Sequence, residues 1–388
     1  MENRPKILLV DDEPLNLDYL AQELEDRGVE ILTAANGQGA LESVASFQPD
    51  LVFLDIHMPE MDGFTVLKHL KADPVTDAIP VVIISAANDM PSIVRGIELG
   101  AEDFLPKPFN PVLLHARLNA GLEKKRLRDI EKRYTRSLER ELEIGRKIQA
   151  GFLPQQIPQP AGWEIEAYFC PAREVAGDFY DAFSLEEGRL ALVIGDVADK
   201  GVGSALYMAL YRSLLRATML MDTFAAGATG LSAEVRLQQS LSLVNNYLCK
   251  THPSNMFATI FAGVLEPASG ELWYINAGHE RPYLLRDGLI HASLDSTGPL
   301  VGVFEGIDYR AASLQLGAGD SLILFSDGIL DAQNPSGERL QKEGWEAMLQ
   351  EPVSPAHKRI DYLISRIYQY TGDQPQYDDI SLLIVRRL

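Results

Sequence analysis

Acidic residues follow or precede apolar segments at several places in this chain, and such a pattern can build a metal site. Asp196 lies in the turn 195–201, after an apolar run at 190–194 that predicts a buried strand. A periodic apolar segment at 205–220 predicts the helix that follows. A carboxylate held between a strand and a helix suits a hard cation, because such ions prefer oxygen ligands on a rigid backbone.

The same local arrangement recurs at three other strand ends. Gly177 and Asp178 follow an apolar approach, Asp327 follows the apolar run 322–325, and Asp378 precedes the apolar run 380–385. If these strand ends meet in the fold, their carboxylates would form an oxygen-rich site for two metal ions.

Composition limits the classes of function that fit. The chain has 388 residues, which suggests two or three domains, and its formal net charge of −20 argues against general binding to nucleic acid or to an anionic membrane. Its cysteines, Cys170 and Cys249, lack metal-ligand spacing. No apolar run reaches the roughly 18 residues of a membrane span, and the N-terminus lacks the pattern of a signal peptide. We therefore expect a cytoplasmic protein with no membrane or nucleic-acid partner.

Residues 1–121 alternate short apolar runs with helical patterns, which predicts a five-stranded, doubly wound parallel α/β domain. The runs are 7–10, 30–33, 51–54, 81–84 and 103–105, and the helical patterns include 15–27 and 37–47. Polar residues follow the strands: Asp11, Asp12, Asp55, Ser85 and Lys107. Clustered carboxylates bind magnesium, and one of them can attack a phosphoryl donor to give an aspartyl phosphate.

These residues, together with the segment 104–109, resemble the CheY-like receiver family of two-component response regulators. The resemblance implies that Asp55 is the phosphoacceptor. Its phosphoryl group would come from a cognate sensor histidine kinase or a phosphotransfer protein. It implies a magnesium site made by Asp12, Asp55 and the backbone carbonyl of His57, with Asp11 acting through water. It also implies a switch made of Ser85, Phe104 and Lys107. A receiver that keeps these residues but signals without phosphate remains an alternative.

Residues 122–153 are rich in charge and contain no proline, which predicts a helical linker that continues the last receiver helix. Its apolar residues have helical spacing with an irregular step, so we expect a short, imperfect coiled coil that forms a homodimer. Packing of the apolar stripe within the same chain is the alternative. The segment 143–154 resembles the one that opens the phosphatase domain of SpoIIE-like proteins, and Pro154 ends the helix.

Residues 154–388 predict an α+β domain of two packed, mostly antiparallel sheets flanked by helices. The predicted strands are 163–169, 177–184, 190–195, 257–265, 272–276, 283–286, 313–316, 321–325 and 380–385. The predicted helices are 204–220, 234–248, 344–349 and 355–370.

The motifs at 176–181, 195–205, 276–279, 325–328 and 378–381 resemble the PPM family of metal-dependent Ser/Thr phosphatases, in its SpoIIE and RsbU branch. The resemblance implies that Asp196 bridges two manganese or magnesium ions. One ion would also be held by Asp178 and the carbonyl of Val197, and the other by Asp327 and Asp378. Asp379 would not bind a metal ion directly but would contact the residues that do.

His279 lies in a glycine-flanked turn and has two readings. It could contact the phosphate or protonate the leaving oxygen. The alternative is a histidine that orders its own loop.

Together the two resemblances imply a response regulator whose phosphorylated receiver controls a phosphoprotein phosphatase through movement of the linker and of residues 198–209. Family analogy suggests a phosphorylated STAS-domain antagonist of an anti-sigma factor as the substrate, in partner-switching signalling. The alternative is a pseudophosphatase adaptor that binds a sigma factor or its regulator without catalysis.

We predict that Asp196→Ala abolishes manganese-dependent hydrolysis of a phosphoprotein, because the substitution removes the carboxylate expected to bridge both ions. Release of inorganic phosphate from a phosphorylated substrate measures this. Unchanged turnover in the variant would contradict the metal assignment.

Overall fold

The computed structural model describes residues 4–86, 89–221, 232–251, 256–352 and 358–388. The chain divides into two compact units, with the boundary between Glu139 and Arg140. In these described ranges, no helix is both long enough and apolar enough to span a membrane.

The first unit is a parallel sheet with strand order β2-β1-β3-β4-β5, covered by helices. Its strands are β1 (Lys6–Val10), β2 (Glu30–Ala34), β3 (Leu51–Asp55), β4 (Val81–Ala86) and β5 (Asp103–Lys107). Its helices are α1 (Pro14–Glu25), α2 (Gly37–Phe47), α3 (Gly63–Ala72), α4 (Met90–Glu98) and α5 (Pro111–Phe152), the last of which continues into the second unit.

Strand β3 is buried along its whole length because helices cover both faces of the sheet. Val52 and Leu54 pack in one cluster with Leu67 of α3. The alternate residues Leu51 and Phe53 pack in a second cluster, on the other face. This arrangement leaves the polar residues of the sheet at the carboxyl ends of its strands.

The second unit contains two five-stranded antiparallel sheets, ordered β13-β10-β9-β8-β7 and β12-β11-β14-β15-β6. The strands are β6 (Trp163–Cys170), β7 (Phe179–Ser184), β8 (Leu190–Val197), β9 (Ala258–Glu266), β10 (Glu271–Ala277), β11 (Tyr283–Arg286), β12 (Leu289–Ser293), β13 (Ala312–Gln315), β14 (Ser321–Phe325) and β15 (Ile380–Arg387). The helices are α6 (Val202–Leu220), α7 (Ala233–Thr251), α8 (Gln341–Gln350) and α9 (Arg359–Thr371).

The two sheets pack face to face, with helices on their outer faces. Leu192 of β8 and Leu383 of β15 belong to one buried cluster between the sheets. Met208 of α6 packs on the outer face of the first sheet, and Trp345 of α8 packs on the outer face of the second. The fold class predicted for each part of the chain is therefore confirmed.

Several element boundaries differ from the predicted ones. Strand β8 continues through Asp196 and Val197, because both residues pair with β9. Strand β12 was not predicted: it is an edge strand with alternating partial exposure, and its residues form no continuous apolar run. The predicted helix 355–370 corresponds to α9, and residues 355–357 lie outside the described residues.

The predicted linker helix is part of α5, which runs unbroken for 42 residues. It continues the last receiver helix, as expected, and ends before Pro154.

Candidate functional site

Three acidic side chains meet at the carboxyl ends of β1 and β3. Ligand oxygens of Asp11, Asp12 and Asp55 all lie within 4.8 Å of one another. Lys107, the last residue of β5, places its Nζ 2.9 Å from Asp11 Oδ2 and 3.0 Å from Asp55 Oδ2. Three carboxylates and one ammonium leave an excess of negative charge, and an all-oxygen donor set suits magnesium.

The phosphoacceptor candidate, Asp55, is only 3% exposed. Burial raises the pKa of its carboxyl, and the hydrogen bond from Lys107 opposes this shift. Burial also lowers the pKa of Lys107, but its hydrogen bonds to Asp11 and Asp55 outweigh that effect and leave the pKa raised. The backbone N–H of His57 donates to Asp55. The carboxylate is thus held by Lys107 of β5 and by the main chain of the loop after β3.

Ser85 and Phe104 lie on the neighbouring strands β4 and β5. Ser85 is buried, and its Oγ has no hydrogen-bond partner among the described residues. Such a hydroxyl is costly to bury unless a further acceptor reaches it, as a phosphoryl oxygen on Asp55 would. Phe104 is half-buried, with the guanidinium carbon of Arg117 5.8 Å from its ring centroid.

In the second unit, strand pairing brings the predicted acids into two pairs. Asp178 directly precedes β7, whose Phe179 pairs with Gly195 of β8, so Asp178 lies beside Asp196. Asp327 begins a short 3₁₀ turn after β14, and Asp378 lies in the loop before β15. Strands β14 and β15 are neighbours in the second sheet.

Hydrogen bonds bring the two pairs together, because Asp379, next to Asp378, accepts from the N–H of Gly177, next to Asp178. Burial, followed by the charges of Asp327 and Asp378, raises the pKa of Asp196 to about 7. Burial and the charge of Asp378 raise the pKa of Asp327 to about 6. Asp178 is 2% exposed, and burial together with the charge of Asp196 raises its pKa well above the ordinary value. Crowded, buried carboxylates of this kind fit divalent cations, which would compensate their charge.

Hydrogen bonds across the sheets fix the Asp178 loop. Ser381 of β15 donates its hydroxyl hydrogen to Asp178 Oδ2 at 2.7 Å. Asp379 accepts from the backbone N–H of Ala172 and of Gly177, each at 2.8 Å. Since both oxygens of Asp379 are bonded to the main chain, this residue holds the loop that presents Asp178.

Gly177 lies against the main-chain carbonyl of Val197, which the resemblance implies is a metal ligand. A Cβ atom at this position would lie 2.8 Å from the carbonyl oxygen of Val197 and 3.4 Å from Asp196 Oδ1. Only glycine allows so close an approach to the Val197 carbonyl, the backbone ligand expected from the resemblance.

His279 is 5% exposed, and burial lowers its pKa to about 4. Its Nδ1 lies 2.9 Å from Thr259 Oγ1, whose hydroxyl donates to the main-chain carbonyl of Asp196 at 3.5 Å. The ring also faces the carbonyl of Phe325, next to the Asp327 turn. Its Nε2 is buried and has no hydrogen-bond partner among the described residues, so the phosphate contact and the loop-ordering role both stay predictions.

Sequence reasoning assigned no role to several residues that support the site. Ser326 and Ser381 lie inside the motifs at 325–328 and 378–381. Ser326 Oγ accepts from the backbone N–H of Ser381 at 2.9 Å. Thr259 carried no signal in the sequence, because its importance depends only on pairing opposite Asp196.

We predict that the metal-free protein loses thermal stability as the pH rises from about 5 to about 8. The folded-state pKa values of Asp196 and Asp327, about 7 and about 6, exceed the ordinary value of 3.8. The folded state therefore binds more protons than the unfolded state in this window, and stability falls as those protons leave. Mn²⁺ should raise the melting temperature more at pH 8 than at pH 5.

Calorimetric melting of the wild type and of Asp196→Asn, with and without Mn²⁺, tests this. The receiver contributes equally to both proteins, so their difference reports on the second unit. An equal Mn²⁺ effect at both pH values, or in both proteins, would contradict the prediction.

Comparison with known proteins finds a family match for a part of the chain in each of the two units. Residues 186–388, more than half of the chain, match the family described as Stage II sporulation protein E (SpoIIE). Residues 7–119 match the response regulator receiver domain.

Among curated proteins, the chain is 39% identical over 262 residues to Protein IcfG of Synechocystis sp. (strain ATCC 27184 / PCC 6803 / Kazusa), covering 64% of this chain and 41% of IcfG. It is 44% identical over 115 residues to the response regulator PleD of Caulobacter vibrioides, covering 30% of this chain and 25% of PleD. The chain thus spans less than half the length of these relatives.

Among solved structures, the SiaA-PP2C domain of Pseudomonas aeruginosa superposes with a TM-score of 0.55 at 21% identity, covering 65% of this chain and 98% of that domain. At that identity the likeness concerns the fold alone. The two family matches identify the two parts of the chain. The protein belongs to the SpoIIE family and joins a response regulator receiver domain to a PPM-type phosphatase domain.

Proposed function

We propose that this protein is a metal-dependent Ser/Thr phosphoprotein phosphatase whose activity is set by phosphorylation of its receiver at Asp55. The convergence of Asp178, Asp196, Asp327 and Asp378 carries the proposal: Asp178 lies beside Asp196 at paired strand ends, and the charges of Asp327 and Asp378 act on Asp196. A binding adaptor would have no use for such an arrangement, since uncompensated carboxylates destabilise the fold.

Two manganese or magnesium ions would supply Lewis acidity toward the phosphoryl oxygens and an activated water. The chain's own residues do the rest. Asp178 and Asp196 come from adjacent strand ends, and Asp327 and Asp378 come from the neighbouring sheet. Ser381 and Asp379 orient the loop that carries Asp178. Lys200 Nζ lies 2.7 Å from Asp378 Oδ2 and orients that carboxylate from the rim.

The receiver would take its phosphoryl group from a sensor histidine kinase or a phosphotransfer protein. Asp55 supplies the attacking oxygen, magnesium would be held by Asp11, Asp12 and Asp55, and Lys107 and Ser85 lie beside the acceptor. The proposed substrate of the phosphatase is a phosphorylated STAS-domain antagonist of an anti-sigma factor, by analogy with RsbU-like relatives in the same family.

We predict that beryllofluoride, which mimics the acyl phosphate, changes the rate of dephosphorylation of such an antagonist by about 10–100-fold, the range of typical coupling energies. The test compares the wild type and Asp55→Asn, using phosphorylated antagonists from the same genome with and without beryllofluoride. Asp55→Asn should not respond. Equal rates in all four samples would refute control by the receiver, and no phosphate release from any candidate would refute the proposed substrate class.

We propose further that the protein is a homodimer through α5. Exposed apolar side chains line this helix at helical spacing: Leu127, Ile130, Tyr134, Leu138, Ile144 and Ile148. Charged residues surround them, so a second copy of the same helix would bury the apolar surface and leave the charges in water.

We predict that Ile130→Lys and Tyr134→Lys each convert a dimer to a monomer in sedimentation equilibrium, because a lysine in the seam would be buried without a partner. Glu139→Lys, on a different face of the helix, is the matched control and should leave the mass unchanged. A wild-type protein that sediments as a monomer would rule out the dimer.

A further inference from the structure

The last turn of α5 carries a buried glutamine that binds the main chain of the Asp178 loop. Gln149 is 7% exposed. Its Nε2 donates to the carbonyl oxygen of Ala176 at 2.6 Å, and the N–H of Ala176 donates to its Oε1 at 3.0 Å. One side-chain amide therefore satisfies both polar groups of Ala176, a residue that lies outside any strand.

Each residue of the segment 176–178 is held by a different element. Ala176 is bound by α5, whereas the N–H of Gly177 donates to Asp379 in the loop before β15. The carbonyl of Gly177 accepts from the N–H of Val197 at 3.3 Å, which ties the segment to β8. Asp178 is held by Ser381. Among these contacts, only the one from Gln149 comes from outside the two sheets and their loops.

The segment has little freedom to shift without disturbing the site. Gly177 already lies so close to the carbonyl oxygen of Val197 that an added Cβ would stand 2.8 Å from it, an approach allowed only to glycine. On α5, one turn before Gln149, Gly145 faces the side chain of Val175, where an added Cβ would stand 3.6 Å from Val175 Cγ1. The end of α5 therefore packs directly on residues 175 and 176.

We propose that Gln149 is a positioning residue for the metal site, and that its two hydrogen bonds to Ala176 hold Gly177 and Asp178 in the geometry that binds metal. This inference rests on the proposed function. The end of α5 contacts residue 176, whereas the sequence led us to expect that the linker acts on residues 198–209. Rotation or withdrawal of the end of α5 would break both bonds and release the Asp178 loop.

Gln149→Met tests the proposal, because methionine has similar length and helix propensity but cannot make either hydrogen bond. Lys147→Met is the matched control: it introduces the same residue in the same turn, at a side chain that is 73% exposed and, among the residues that the structure describes, pairs only with Glu143 on its own helix. We expect Gln149→Met to raise the Mn²⁺ dissociation constant of the second unit roughly 10–100-fold, as loss of a residue that orients metal ligands does. Lys147→Met should match the wild type.

Calorimetric titration of the full chain with Mn²⁺ measures binding, and phosphate release measured against Mn²⁺ concentration measures activation. The positioning role predicts that saturating Mn²⁺ restores the kcat of Gln149→Met to within about twofold of the wild type. Unchanged Mn²⁺ binding would overturn the proposal. So would a loss of kcat that Mn²⁺ does not restore, accompanied by a lower melting temperature without metal, since that pattern indicates a merely structural role.

The two hypotheses fail separately in this experiment. If the wild type releases no phosphate but Gln149→Met still weakens Mn²⁺ binding, the phosphatase function is wrong and the positioning role stands. If the wild type is an active phosphatase and Gln149→Met binds Mn²⁺ normally, the positioning role is wrong and the function stands.

Discussion

Repulsion among carboxylates in a poorly hydrated space is the constraint on which the second unit depends. Asp178 is almost fully buried beside Asp196, and the charges of Asp327 and Asp378 act on the carboxyl of Asp196. Without compensation, such a cluster takes up protons or separates, because burial and like charges both disfavour ionised carboxyls. The fold prevents separation by placing the acids at strand ends, where backbone pairing on β7, β8, β14 and β15 fixes their distances.

Neutral donors complete this restraint without reducing the negative charge. Ser381 donates to Asp178, and two backbone N–H groups donate to Asp379. His279 and Thr259 form a chain of hydrogen bonds that ends on the main-chain carbonyl of Asp196. Since these donors orient oxygens without supplying a full positive charge, the cluster keeps its affinity for cations. A buried arginine in the same place would have stabilised the acids and removed the reason to bind metal.

The sequence predicts those parts of the structure that depend on neighbouring residues. Apolar runs ending in acids identify the strands of both units and the carboxylates at their ends, because each motif is local. The supporting contacts are not local: Ser381 lies 203 positions from Asp178, and Gln149 lies 27 positions from Ala176. Nothing in the sequence separates a serine that reaches a carboxylate across two sheets from one that faces solvent. His279 shows the same limit, since its glycine-flanked turn resembles an exposed loop but is buried.

The two acidic sites differ in how much positive charge the chain itself supplies, and this difference sets how each responds to loss of a cation. In the receiver, one lysine, Lys107, touches both Asp11 and Asp55, so part of the charge is already balanced. In the phosphatase unit, Lys200 pairs with Asp378 at the rim, and within the described residues Asp178 and Asp196 form no ion pair with a lysine or arginine. The receiver site can therefore keep its geometry without a cation, whereas the phosphatase site needs either cations or protons to remain assembled. A loop anchored from outside the sheets, as the Asp178 loop is by Gln149, then becomes an effective point of control, because a small displacement changes the affinity for the very ions that hold the site together.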